Sequence, residues 1–254
     1  MLGFQTCALA ARRQRPRLSS SSVCRFVSAP ERPPRVEPSE LAVYLVTNGL
    51  ADSSGALNER AFLAVEQALQ GGVSIVQLRE KNMCARDLVR TGRRLKRLVH
   101  AYRAKLLVND RVDVALAIDA DGVHVGQDDL SAADVRRLIG LDRVLGVSAG
   151  TVEEAVQASR DSADYVGVGS VFGTTSKSDA GDPIGVAGLE QIIDSCRLLR
   201  LPVVAIGGIS SANAEACIQA GASGVAVISA IMDAEDPEAA ARSLARLYIG
   251  RFAE

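Results

Sequence analysis

Tryptophan is absent from this 254-residue chain and aromatic residues make up 4% of it, so an aromatic-rich recognition surface is excluded and packing must be aliphatic. Histidine occurs only at His100 and His124, too few for chemistry built on several imidazole ligands. Five cysteines, Cys7, Cys24, Cys84, Cys196 and Cys217, are scattered and odd in number. They lack Cys-x-x-Cys or Cys/His metal spacing and read as reduced thiols inside a cell. The formal net charge of −1 lacks the cationic excess that a nucleic-acid protein sets against phosphate backbones. No apolar run approaches the roughly 18 residues of a membrane span, which excludes an integral helical membrane protein. Any phosphate recognised here is expected on a small molecule.

What is present is a 48% hydrophobic, 23% charged composition, ordinary for a globular protein. The length suits one large α/β barrel or two small domains. Residues 1–40 differ from the rest. They hold seven Arg against three Glu, no Lys, a Ser19–Ser22 run and five of the eight prolines. That Arg- and Ser-rich, acid-poor composition reads as an organelle transit peptide, and it has no apolar core of the kind a secretory signal needs. A plain disordered extension is the alternative. Without this leader the remaining chain is mildly acidic.

From Leu41 onward, short aliphatic runs alternate with longer segments of helical spacing. Strands are expected at Leu41–Thr47, Val73–Leu78, Lys105–Val108, Gly122–Val125, Arg143–Val147, Tyr165–Val168, Pro202–Ile206 and Gly224–Ile228. Their continuous apolarity suits strands buried on both faces of a parallel sheet. Between them, Asp87–Val99 places Leu88, Val89, Leu95, Leu98 and Val99 on one helical face and Arg90, Arg93, Arg94 and Lys96 on the other. Helix caps are expected at Asn58, Ser131, Thr151 and Ser211. Eight βα units in about 210 residues predict a (β/α)8 TIM barrel over residues 41–254, a doubly wound open sheet being the alternative.

In such a barrel the site gathers where strands end and βα loops begin. After the second strand, alternation puts Gln77, Arg79 and Lys81 on one side of an extended segment, an amide and two cations suited to a phosphorylated substrate. A solvated charge run would look the same. Asn109-Asp110 follows the third strand and Gln127-Asp128-Asp129 the fourth. Carboxylates at neighbouring strand ends can share one Mg2+ whose other positions are filled by water and phosphate oxygens, or they can cap helices. Ser148 ends the fifth strand. The segment from Gly169 through Thr174, Thr175, Ser176 and Lys177 to Gly188 reads as a cover closing over an anion, or as a linker. Gly207-Gly208 and Ile228-Ser229 end the last two strands, where backbone N–H groups can approach a phosphate. His124, inside the fourth strand, reads as a core residue or an indirect donor, His100 as a helix-end cation, and Tyr165 and Phe172 as packing.

Together VQLREK at 76–81, VNDRVDVAL at 108–116, DGVHVGQDDL at 121–130, GVS at 146–148, DYVGVGSVFGTTSK at 164–177 and AIGGIS at 205–210 closely resemble the thiamine-phosphate synthase family, over about residues 41–248. The resemblance implies a transferase that joins hydroxymethylpyrimidine diphosphate to hydroxyethylthiazole phosphate, releasing pyrophosphate with the help of Mg2+. It places Gln77, Arg79, Lys81, Asn109, Ser148 and Lys177 at the pyrimidine diphosphate, and Asp110 and Asp129 at Mg2+. Thr174, Ser176, Gly208, Ile228 and Ser229 fall at the thiazole phosphate. It implies small-molecule partners, with no nucleic acid and no membrane, and leaves a homo-oligomer open. Thiamine assembly in photosynthetic eukaryotes points the leader to the plastid, with the mitochondrion as the other destination.

Three departures stand out. Gly150 occupies a position where many members carry His, and Ser176 supplies the second hydroxyl of a TTSK run where T-x-T-K is usual; the stretch Ser178–Val186 is also longer than common versions. A thiazole tautomerase resembles the chain around VFGTTSK, but that branch relies on the His replaced by Gly150 and lacks an acidic GQDD-type motif. A non-catalytic barrel binding thiamine precursors is the rival of another class, opposed by the presence of both acids and all three cations.

Overall fold

The computed structural model describes residues 35–52, 54–174, 176 and 182–249. Eight strands, β1 (Val43–Val46), β2 (Ile75–Leu78), β3 (Lys105–Asn109), β4 (Gly122–Val125), β5 (Val144–Ala149), β6 (Tyr165–Val168), β7 (Val203–Ile206) and β8 (Gly224–Val227), close into a barrel in sequence order. All neighbouring pairs are parallel, and closure is made by Tyr44 opposite Ala226. The chain is therefore a (β/α)8 TIM barrel. Strand positions agree with the apolar runs to within two residues, the largest differences being at the starts of β1 and β2 and at the end of β5, which runs on through Ser148 and Ala149.

Alternation along each strand separates two apolar regions. Val43, Leu45, Val76, Leu78, Leu106 and Val108 face the helices. Tyr44, Val46, Ile75, Leu107, Val144, Tyr165, Val204 and Ala226 fill the barrel interior. Helices α1 (Glu59–Gln70), α2 (Ala85–Ala101), α3 (Val112–Ile118), α4 (Ala132–Ile139), α5 (Val152–Arg160), α6 (Gly185–Leu198) and α7 (Ala214–Ala220) cover the outside. A four-residue turn of helix, α8 (Ser229–Met232), is inserted after β8 before the last covering helix, α9 (Pro237–Arg246). None of these described helices is long and apolar enough to cross a membrane.

Asn58, Ser131 and Thr151 cap their helices as expected, accepting from Ala61 N (3.2 Å), Asp134 N (3.2 Å) and Glu154 N (3.2 Å). Ser211 does not. Helix α7 starts two residues later, after Asn213, whose side chain instead accepts from Ser210 N (2.8 Å) and donates to Gly208 O (2.9 Å). The side chain that competes best for the loop's backbone groups thus sets the helix start.

The packed chain begins upstream of Leu41. Val36 is 1% exposed and joins the interior cluster, followed by a 3-10 turn at Pro38–Leu41. Glu40 pairs with Lys105 (2.9 Å), and Arg35 reaches Asp164 and Leu141 O. Asp164 is nearly buried and also holds Arg136 (2.7 Å) and Leu145 N (2.8 Å). Burying a Val side chain contributes roughly 1.5–3 kcal/mol. A chain lacking residues 1–40 is therefore expected to melt roughly 5 °C below one lacking residues 1–34. Equal melting temperatures would show that Val36 and Arg35 contribute nothing.

Candidate active site

At the end of β2 the extended segment splits its side chains as alternation requires. Gln77 is buried in the barrel interior and donates through Nε2 to the Tyr44 hydroxyl (2.7 Å). Arg79, itself nearly buried, and the exposed Lys81 stand on the wall of a cavity above it. Glu80 points elsewhere and accepts from Gly49 N (3.2 Å) and Leu50 N (3.0 Å), while Arg79 N donates to Thr47 Oγ1 (3.1 Å). Burial raises the Glu80 carboxyl above its usual range. Glu80 thus fixes the β1 loop beneath Arg79, a role that its place between two cations concealed; the signal in the sequence was the alternation itself.

Asp110 and Asp129, from the loops after β3 and β4, meet across the cavity. Neither caps a helix: Ser131 caps α4, and α3 has no side-chain cap. Asp110 holds a left-handed backbone (φ +59°), a strained conformation for a residue with a side chain, and its N–H donates to His124 O (2.8 Å). Asp129 Oδ2 accepts from Gly126 N (2.8 Å). Burial, and then the adjacent Asp129, push the Asp110 carboxyl up to about 6, against the pull of Lys81 and Arg79. Two carboxylates held together beside a cationic wall fit a Mg2+ ion, which commonly takes one or two protein carboxylates and fills its other positions with phosphate and water oxygens. Among the described residues no cluster of three or more acidic, His or Cys side chains offers a fuller cage.

The folded pKa of Asp110 exceeds the unfolded 3.8, so the metal-free fold takes up this proton at higher pH than the unfolded chain does, and the stabilisation it gives is complete below 3.8 and lost as pH rises through about 6. Metal-free wild type should therefore lose melting temperature relative to Asp110→Asn between pH 3.8 and about 6, the span set by those two pKa values. Parallel curves would mean that the two carboxylates do not interact.

Ser148, on β5, lies on the same cavity wall; its carbonyl accepts from Gln127 Nε2 (2.6 Å) and its hydroxyl meets His124 Nε2 (3.0 Å). Asn109, the last residue of β3, is also there. After β6 the backbone pairs with the end of β7, Val171 N donating to Ile206 O (2.9 Å) and Phe172 N to Gly207 O (3.0 Å). Gly207 and Gly208 have φ of +103° and +63°. A Cβ on Gly208 would come within 2.4 Å of Gly173 O, so the two loops touch only because these glycines lack side chains. Thr174 Oγ1 accepts from Ser176 N (3.2 Å). Lys177 and residues 178–181 lie outside the described residues.

These side chains line two adjoining cavities. One, of ≈ 360 Å³, takes Arg79, Lys81, Asn109, Asp110, Asp129 and Ser148. The other, of ≈ 310 Å³, takes Gly173, Thr174, Ser176, Gly208, Ile228 and Ser229. Thr174, Ile206 and Gly207 belong to both and form their common wall. Gln77 alone among the described candidates lies in neither; it sits in the barrel interior.

A family model described as Thiamine monophosphate synthase matches residues 43–231, through β1 to the first residues of α8. The chain belongs to that family. Members similar to it include the thiamine-phosphate synthase of Roseiflexus sp. (strain RS-1), 54% identical over 80% of this chain and 83% of the relative. That of Moorella thermoacetica (strain ATCC 39073 / JCM 9320) is 53% identical over 71% and 84%. Among solved structures, the thiamine phosphate pyrophosphorylase from Pyrococcus furiosus is 39% identical, with a TM-score of 0.72, covering 83% of this chain and 96% of that one. Gly150, the departure from the family's common His, donates its N–H to Glu154 Oε2 (2.6 Å), and a Cβ there would meet only that oxygen at 3.6 Å. The backbone would accept a side chain. The family's imidazole is simply missing.

Proposed function

We propose that the chain condenses hydroxymethylpyrimidine diphosphate with hydroxyethylthiazole phosphate, forming thiamine phosphate and pyrophosphate. The observation that carries this reading is the pair of adjoining cavities with a common wall. One is lined by cations, amides and carboxylates, Asp128 among them, the other by hydroxyls, glycine backbone and apolar side chains. A reaction joining two phosphorylated molecules needs two such anion sites with their inner ends in contact.

In this reading the diphosphate lies against Arg79, Lys81, Asn109 and Ser148, and the thiazole phosphate against Thr174, Ser176, Gly208 and the backbone at Ile228 and Ser229. The bond between the pyrimidine methylene carbon and oxygen breaks, and its electron pair leaves with pyrophosphate. The thiazole nitrogen lone pair then forms the new C–N bond to the methylene cation. No protein nucleophile is consumed, so no Ser/His or Cys/His pair is needed. Arg79, Lys81 and Lys177 neutralise the departing charge, each fixed cation acting most strongly where charge develops. Asp110 and Asp129 would hold Mg2+, which when bound supplies further neutralisation of the diphosphate.

Incubating the full chain with both precursors and Mg2+ should yield thiamine phosphate and pyrophosphate in equal amounts. Tight pyrimidine diphosphate binding without either product would overturn the reading. Lys177→Ala should lower turnover more than thiazole phosphate affinity, because its charge acts on the leaving group. Loss of affinity at unchanged turnover would assign Lys177 to the other substrate.

The Arg-rich leader supports import into a plastid, with the mitochondrion as the other destination for a leader of this composition. Residues 1–40 fused to a fluorescent protein should carry it into plastids of plant cells. A reporter left in the cytosol would remove the targeting role.

A further inference from the structure

A continuous hydrogen-bonded chain runs through the barrel interior beneath the two cavities. Gln77 Nε2 donates to the Tyr44 hydroxyl (2.7 Å). The Tyr44 and Tyr165 hydroxyls meet at 2.9 Å, Tyr165 meets His124 Nδ1 at 2.8 Å, and His124 Nε2 meets the Ser148 hydroxyl at 3.0 Å. Five strands contribute, β1, β2, β4, β5 and β6, and the rings fit because β5 brings no side chain between them at Gly146. A Cβ on Gly146 would lie 2.2 Å from Tyr165 Cζ and 2.5 Å from His124 Nδ1.

We propose that this chain has one direction, and that His124 is a positioning residue that makes the Ser148 hydroxyl a donor to the substrate diphosphate. The proposal rests on the reading of Ser148 as a diphosphate contact. Each link follows from counting protons. The Gln77 amide nitrogen can only donate, so Tyr44 accepts from it and passes its own single proton to Tyr165. Burial holds both phenols above their usual range, so each keeps that proton. Tyr165 then donates to His124 Nδ1, which must be unprotonated, leaving the ring neutral with its proton on Nε2. That proton goes to Ser148 Oγ.

With its oxygen accepting from His124, Ser148 has its own proton to give, and the open direction is the cavity lined by Arg79 and Lys81. The two ends of the chain demand the same direction independently: a donor amide at Gln77, and an anion to be bound at Ser148. A reversed chain, with the Gln77 amide turned over, would put the imidazole proton on Nδ1. Ser148 would then donate downward and present only lone pairs to an anion, a repulsive arrangement.

Because the chain has only two histidines, ring nitrogen spectra of the 15N-labelled full-length protein are simple, and His100→Gln assigns them. At pH about 7.5, near the reference working range of a neutral imidazole, His124 is expected as the neutral Nε2-protonated tautomer. An Nδ1-protonated ring or an imidazolium would overturn the proposal whether or not any variant folds. A kinetic cycle adds a second reading. Loss of one preorganised donor to developing charge lowers turnover about a hundredfold, so His124→Leu should do this, while His124→Gln, which keeps an N–H near Ser148, should recover about tenfold of it. In a Ser148→Ala background the His124→Leu change should cost less than about threefold, since a residue acting through Ser148 is silent without its hydroxyl. Full loss from His124→Leu in that background would overturn the positioning role. Absence of thiamine phosphate from the wild type would instead remove the functional reading and leave the tautomer result standing.

Discussion

Asp110→Asn and Asp129→Asn are each expected to lower turnover by roughly two or more orders of magnitude, and the double variant by scarcely more than either, because residues that serve one ion act as a unit. The structure makes this test cleaner than it would be for helix caps. Ser131 holds the α4 cap, and the one bond Asp129 makes to the backbone, from Gly126 N, is one an Asn carbonyl also accepts. Each substitution also removes one carboxylate from a pair in which burial, and then the neighbouring Asp129, push Asp110 up to about 6. Metal-free variants should therefore melt no lower than wild type near pH 7, above the Asp110 value, while their turnover collapses. A stabilised but inactive protein is the signature of a site strained for an ion. Turnover of the four proteins against Mg2+ concentration reads it directly. Multiplicative losses with an unchanged Mg2+ response would exclude a shared ion.

The barrel was legible because eight aliphatic runs and the helical segments between them point to the same topology, and parallel strands buried on both faces leave no ambiguity of period. The charged wall was legible for a related reason: Arg79, Asp110 and Ser148 break an apolar pattern at or just past a strand end, and Asp129 follows in the loop after β4, on the face where βα loops gather. The interior was not. Tyr165 looks like packing and His124 like a core residue, since a polar atom turned into a barrel leaves no mark on the sequence. Only the register of β4, β5 and β6 shows that Gly146 vacates the space in which their rings meet. Asn213 was hidden differently. Its neighbour Ser211 is an equally plausible cap, and the outcome depends on which side chain reaches Gly208 O. Val36 was hidden by composition, because a single buried Val in a Pro- and Arg-rich leader carries no periodicity.

Gly207→Ala tests the wall that the two cavities share. At φ +103° an alanine pays the left-handed penalty of roughly 1–2 kcal/mol. Its Cβ would also stand 2.6 Å from Ser170 Cα and 2.2 Å from Ser170 Oγ, and the first of these is backbone that cannot swing aside. Overpacking of this kind adds about 1–3 kcal/mol. Relief requires the β7 loop to separate from the segment after β6, breaking the Phe172 N to Gly207 O bond. Thr174 would then move relative to Arg79 and Ser148, and a misplacement near 1 Å costs on the order of a hundredfold in rate. Gly173→Ala, on the facing loop, is the stability control: its Cβ meets nothing within 4 Å and its backbone is unstrained, so its stability should stay near wild type, and any kinetic effect of a methyl in the cavity it lines should fall on the thiazole phosphate alone. Melting curves with steady-state kinetics, each substrate varied in turn, should show Gly207→Ala less stable and impaired toward both substrates. If it behaves like Gly173→Ala, the common wall does not set the relative placement of the two substrates.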